Sequence, residues 1–188
     1  RKRREKSGVF SISLVGYTNT GKSTLLNALT DAQVLVEDKL FATLDSTTRR
    51  LLLPNHQPIV LSDTVGFIHK LPHQLVAAFR STLEEVRKAD LLLHVIDASH
   101  PQMREQMRAV DGVLGEIGVV GEPAINVFNK QDLLDGQTKK SLRTQYPDGV
   151  LVSAQTGEGL EDLIREIEKR VPARPSSFSE PQTFLKKS

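Results

Sequence analysis

Eight residues constrain this chain more than any others: Gly16-Tyr17-Thr18-Asn19-Thr20-Gly21-Lys22-Ser23, entered directly from the apolar run Val9 to Val15. The pattern G-x-x-x-x-G-K-[ST], with a strand before it and a helix-forming stretch after it, predicts a tight phosphate-binding turn. Gly16 and Gly21 let the backbone curl without Cβ clashes, so successive N–H groups can point inward at an anion. Lys22 is a point charge suited to β and γ phosphates, and the Ser23 hydroxyl is suited to Mg²⁺. A helix beginning near Lys22, and carrying Thr24, adds the positive end of its dipole. By itself the motif predicts only that a nucleoside triphosphate binds.

At 188 residues the chain is long enough for one domain with a single sizeable core. It has no cysteine, which excludes a disulfide framework and cysteine–zinc sites and fits a reducing compartment. No apolar run approaches ~20 residues, so no membrane span is expected. The net charge of +2 says little about partners. Its distribution says more: five of the first six residues are basic, and Lys186 and Lys187 lie at the end. Such runs read first as solvated tails or helix ends, and second as contacts to a phosphate backbone. The chain opens without methionine or a signal peptide and reads as a piece of a longer protein.

Strand-like runs alternate with amphipathic stretches. Strands are predicted at Val9–Val15, Arg50–Leu53, Ile59–Ser62, Leu91–Ile96, Ala124–Phe128 and Val150–Val152. Helices are predicted at Lys22–Leu29, Pro72–Lys88, Gln102–Ile117, Gly136–Gln145 and Leu160–Arg170. Leu91–Ile96 is almost continuously apolar, as a strand covered on both faces should be. Pro54-Asn55-His56-Gln57-Pro58 joins two strands as a hairpin. The expected fold is α/β: a six-stranded, mostly parallel sheet with one antiparallel edge strand and helices on both faces. The domain is expected over residues 9–171. Pro172, Pro175, Ser176, Ser177, Ser179 and Pro181 give 172–188 linker composition, leading toward a further module. Residues 31 to 49 lack periodicity, and so long a loop predicts function or mobility.

Two further motifs narrow the chemistry. Asp63-Thr64-Val65-Gly66 follows the strand Ile59–Ser62. A carboxylate there is placed to hold Mg²⁺ through water, and Gly66 can bring its N–H to a γ phosphate. Asn129-Lys130-Gln131-Asp132 ends another strand. The Asp132 carboxylate matches the N1–H and exocyclic amine of guanine, a donor pair that adenine lacks. Asn129 can tie its loop to the phosphate loop, and the Lys130 stem can lie along the base or ribose. Backbone N–H groups of Ser153-Ala154-Gln155 can meet the guanine O6.

In this order the motifs resemble those of a Ras-like, translation-factor-class P-loop GTPase domain, over roughly Phe10 to Arg170. A narrower resemblance lies in Phe41-Ala42-Thr43-Leu44-Asp45, Thr47-Thr48-Arg49-Arg50 and Asp63-Thr64-Val65-Gly66-Phe67-Ile68, which look like the HflX family of the Obg–HflX superfamily. The resemblance implies a Mg²⁺-dependent, cytoplasmic, monomeric GTPase that binds the large ribosomal subunit and can split stalled ribosomes. It implies that residues 1–8 end a preceding helical linker. It makes Thr43 the switch threonine, with its hydroxyl on Mg²⁺ beside Ser23 and Asp63 and its N–H on the γ phosphate. Lys22, Thr43 and Gly66 then carry catalysis, while Phe41, Ala42, Leu44, Asp45, Thr64 and Val65 line the nucleotide.

Four positions depart from the pattern or leave alternatives. Phe67 stands where a Ras-type enzyme has a water-orienting glutamine, and a phenyl ring cannot accept that hydrogen bond. Intrinsic hydrolysis is therefore expected to be slow, or so weak that GTP acts mainly as a structural ligand. His69 reads as a solvated loop histidine before it reads as a base. Asn19 either tightens the loop or helps hold K⁺ in place of an arginine finger, as in potassium-stimulated tRNA-modification GTPases. Thr20 stands where a smaller residue such as alanine is expected.

Overall fold

The first strand, Phe10–Gly16 (β1), runs through the turn at 17–21 into the first helix, Lys22–Ala32 (α1). The chain then forms β2 (Thr48–Leu52), β3 (Pro58–Asp63), α2 (Arg80–Lys88), β4 (Leu91–Asp97) and α3 (Met103–Glu116). It continues through β5 (Ala124–Asn129), a 3₁₀ turn at Gln131–Leu133, α4 (Gly136–Gln145), β6 (Val150–Leu151) and α5 (Leu160–Arg170). The computed structural model describes residues 8–32, 48–64 and 80–173. The expectations for residues 1–7, Phe41, Ala42, Thr43, Leu44, Asp45, Val65, Gly66, Phe67, His69, the first part of the Pro72–Lys88 helix and residues 174–188 lie outside the described residues.

The six strands form one sheet in the order β2-β3-β1-β4-β5-β6. Only β2–β3 is antiparallel, and it forms the expected edge hairpin. Its turn closes because the Leu53 carbonyl accepts from His56 N–H and the Gln57 carbonyl accepts from Leu53 N–H. His56 takes φ 63°, and the Asn55 side chain caps the Gln57 N–H. Pro58 opens β3, a strand position where its missing N–H is tolerated. The hairpin tip is tied to the far end of α5: Asn55 N–H donates to Glu168 Oε1, and Gln57 Nε2 donates to the Pro172 carbonyl.

Strand alternation divides the core. Ile12 and Leu14 of β1, with Leu91, Leu93 and Val95 of β4, face Leu25 and Leu29 of α1 and Leu163 and Ile167 of α5. Val15 and Leu92 turn the other way, onto Val86 of α2 and Val110 and Leu114 of α3. All seven residues of β4 are buried, the consequence of helices on both faces. Among them is His94, whose Nδ1 lies 4.0 Å from Asp111 Oδ1 of α3. Burial pushes this imidazole down to about 4, and the Asp111 carboxylate only partly opposes that.

Register decides what the fold can do. Parallel pairing sets Leu14 beside Asp63, Gly16 beside Val95, and Asp97 beside Asn129. The carboxyl ends of β1, β3, β4 and β5 therefore open on one edge of the sheet, where ligands of open α/β sheets bind.

Candidate functional site

The turn at 17–21 leaves the buried centre of the sheet and must double back at once. A Cβ on Gly16 would run into the Val95 carbonyl, and one on Gly21 would run into Asn129 Nδ2 at a backbone φ of +92°. Glycine is required at both places by contact, and at Gly21 also by conformation. Thr20 closes the turn from inside: it is buried, and its hydroxyl donates to the Tyr17 carbonyl at 3.1 Å. That contact accounts for a hydroxyl where the sequence led us to expect a smaller side chain. Thr18 and Asn19 are exposed at the tip, with Asn19 at φ 61°.

Lys22 folds back beneath the turn, and its Nζ lies 3.4 Å from the Tyr17 carbonyl. The residue is 7 % exposed, and burial lowers its pKa despite the nearby Asp63 charge. An ammonium held short of solvation is a natural partner for a polyanion. Ser23 and Thr24 are exposed in the first turn of α1. Ser23 Oγ donates to Asp63 Oδ2 at 2.6 Å, joining α1 to the end of β3. The other carboxylate oxygen, Asp63 Oδ1, is buried and has no hydrogen-bond partner. Next to it, the Thr64 hydroxyl donates to the Leu14 carbonyl at 2.6 Å and fixes the exit of β3 against β1.

On the other side of the turn, the exit of β5 grips it. Asn129 is 2 % exposed; its Nδ2 donates to the Thr20 carbonyl, and its Oδ1 accepts from Ala154 N–H, both at 2.9 Å. Lys130, at φ 65°, sends its Nζ to the Asn19 carbonyl at 2.9 Å and to Asp97 Oδ2 at 2.6 Å. Gln131 is buried, and its Nε2 donates to the carbonyls of Leu151 and Glu158. That anchor holds the 3₁₀ turn on which Asp132 stands exposed. Ser153 N–H donates to the Glu158 carbonyl and Ser153 Oγ accepts from Thr156 N–H. The Ser153 and Ala154 N–H groups are therefore engaged within the protein, and Gln155 beside them is exposed.

The fold thus gathers Gly16 to Thr24, Asp63, Thr64, Asn129, Lys130, Asp132, Ser153, Ala154 and Gln155 around one sheet edge. Sequence reasoning missed Asp97. The signal was an acidic residue directly ending an apolar strand, but no motif spacing links it to Lys130, 33 positions later.

These features define a nucleoside-phosphate site of the P-loop class. The family model described as "50S ribosome-binding GTPase" matches residues 11–130, and the chain belongs to this family of P-loop GTPases. Within it, the chain is of the HflX kind. It is 53% identical over 171 residues to the GTPase HflX of Caldanaerobacter subterraneus subsp. tengcongensis, covering 91% of this chain and 39% of that protein. It is 48% identical over 173 residues to the GTPase HflX of Escherichia coli, covering 91% and 41%. The chain thus spans about two fifths of the length of these curated relatives. A solved GTP-binding protein from Sulfolobus solfataricus in complex with GDP superposes with a TM-score of 0.70 at 32% identity, over 86% of this chain and 52% of that one.

Proposed function

We propose that this chain binds GTP with Mg²⁺ and hydrolyses it to GDP and phosphate, as the switch of a ribosome-associated protein. The observation that carries the reading is the convergence, on one sheet edge, of the Lys22 cradle, the Ser23–Asp63 pair and the Asn129–Lys130 grip.

Each residue then has a physical task. The turn from Gly16 to Ser23 wraps the phosphates with backbone N–H groups, and the Lys22 ammonium regains there the solvation that burial removed. Asp132 accepts two hydrogen bonds from the guanine edge, while Asn129, Lys130 and the 153–155 turn shape the base pocket. The donor set at the phosphate end suits a hard cation. Ser23 offers a hydroxyl oxygen, and Asp63 keeps one buried oxygen without a partner. Ser23 and Thr43 would ligate Mg²⁺, and Asp63 would hold it through water. Such an ion supplies charge neutralisation on the β and γ phosphates.

Hydrolysis is an in-line attack of water on the γ phosphate, with GDP as the leaving group and no covalent intermediate. Thr43 and Gly66 offer backbone groups to that phosphate and water. The Phe67 side chain offers no hydrogen-bonding group, so the chain alone turns over slowly and a partner helps to position the water. That partner, on the family relationship, is the large ribosomal subunit, with splitting of stalled ribosomes the suggested outcome. No described helix is long and apolar enough to cross a membrane; on the family relationship, the chain works as a cytoplasmic monomer. Asn19, exposed at the tip of the turn, is the position from which K⁺ would assist.

Single-turnover GTP hydrolysis tests the reading, with and without large ribosomal subunits and in potassium against sodium. Slow turnover alone and faster turnover with subunits is the expected result. Equal rates with and without subunits would remove the ribosome-linked switch and leave a GTP-dependent binding module.

A further inference from the structure

Asp97 is not itself among the proposed nucleotide contacts, but it hydrogen-bonds Lys130, which is. It ends β4, the most deeply buried strand, and its side chain is 11% exposed. Both of its oxygens are committed. Oδ1 accepts from Ser99 N–H at 3.0 Å and from Ser99 Oγ at 2.6 Å; Oδ2 accepts from Lys130 Nζ at 2.6 Å. The same ammonium donates to the Asn19 carbonyl at 2.9 Å. Lys130 is therefore stretched between a fixed carboxylate and the tip of the phosphate turn.

The two residues that Lys130 Nζ connects, itself and Asn19, both hold left-handed backbone conformations, at φ 65° and 61°. Non-glycine residues stay there only when their surroundings over-determine them. Asn129 gives one such restraint, through the Thr20 carbonyl. Lys130 gives the second, and its strength depends on Asp97. Without a carboxylate behind it, the ammonium would bond a single carbonyl and be free to turn toward water or the phosphates. Burial pushes the Asp97 carboxyl up, yet the hydrogen bonds from Lys130 and Ser99 and the Lys130 charge outweigh it and hold the group below the usual carboxylate range. The group is thus a carboxylate anion wherever the protein works.

We infer that Asp97 is a positioning residue for guanine-nucleotide binding: by fixing the Lys130 ammonium against the Asn19 carbonyl, it locks the base-binding loop and the phosphate loop into one unit. The inference rests on the guanine-nucleotide reading above. It assigns to β4 a part in ligand affinity, acting through Lys130.

The test is equilibrium binding of a fluorescent GDP analogue to the wild-type chain, Asp97→Asn, Lys130→Met and the double variant. Asp97→Asn should raise the Kd about tenfold or more, the scale of a lost charge-assisted hydrogen bond. Added to Lys130→Met, the same change should cost less than about twofold more, because its route to the ligand is already cut. Should Asp97→Asn fail to fold, Ser99→Ala decides: with one hydroxyl anchor gone from Oδ1, it should weaken GDP in the same direction by a few-fold. Wild-type affinity in Asp97→Asn, or in Ser99→Ala where that variant decides, would overturn the inference. So would full additivity with Lys130→Met, which would mean that Asp97 serves the fold alone. A wild-type chain that binds no GDP would instead overturn the guanine reading itself.

Discussion

The two ends of the site differ in how many of their polar groups are paired within the protein. At the base end, Asn129 and Lys130 close on the protein, while Gln131 Oε1 is buried without a partner. Asn129 spends both ends of its amide on Thr20 and Ala154, and Lys130 joins Asn19 to Asp97, which Ser99 holds in turn. At the metal end, one hydrogen bond joins Ser23 to Asp63, and the second Asp63 oxygen is buried without a partner. A buried polar atom without a partner carries a desolvation cost, roughly 1–3 kcal/mol. The difference teaches which part of the site the sheet prepares in advance and which part draws its order from what binds. On the proposed reading, base selection would rest on a framework paired within the protein except at Gln131 Oε1, and phosphate and metal recognition would draw on groups that gain from their ligand.

The largest expected effect breaks the base end. Asp132→Asn swaps an acceptor for a donor at the guanine edge, so preference should move toward xanthine nucleotides. Competition between GDP and XDP should shift by on the order of a hundredfold; unchanged GDP affinity would remove Asp132 from base recognition. The next effect probes the metal end. Asp63→Asn should lower single-turnover hydrolysis by roughly a hundredfold in saturating Mg²⁺. GDP affinity measured in EDTA should change by less than about threefold. A loss of equal size in EDTA would mean that Asp63 shapes the turn itself and is not held for a cation.

The smallest effect on nucleotide binding lies away from both ends and calibrates them. His94 is buried at about 4, against 6.5 for a free imidazole. The folded chain resists taking a proton that the unfolded chain accepts. Stability is therefore undisturbed above pH 6.5 and falls as pH drops from about 6.5 to about 4, by on the order of 2–3 kcal/mol. In His94→Leu this segment of the pH–stability curve should flatten in urea titrations, with nucleotide affinity at pH 7.5 unchanged. A slope as steep as in the wild type would assign the acid sensitivity to other groups.

Much of this was legible in the sequence, for reasons that differ by element. The helices Gly136–Gln145 and Leu160–Arg170 begin and end where the sequence pattern placed them, the first capped by the Asp135 side chain, which accepts from Thr138 N–H. Leu91–Ile96 was legible because a strand covered on both faces has no polar alternation to obscure it, and the structure extends it by one residue to Asp97. The expected strand Val150–Val152 shortens to Val150–Leu151, although the Val152 N–H still donates to the Phe128 carbonyl. The phosphate turn and Asn129 were legible because local motifs encode them. Asp97 and His94 were not, since each matters through a partner that only the folded sheet brings near: Lys130 for one, Asp111 for the other. Thr20 was noticed as unusual, but its contact to the Tyr17 carbonyl follows from the curl of the turn and not from spacing.

The most direct test of the contrast is a four-way affinity measurement: GDP and ADP, each in Mg²⁺ and in EDTA. The account predicts weaker binding of both nucleotides without the ion, with the preference for GDP over ADP kept within about threefold. Loss of that preference along with Mg²⁺, or ADP binding as tightly as GDP in Mg²⁺, would contradict it.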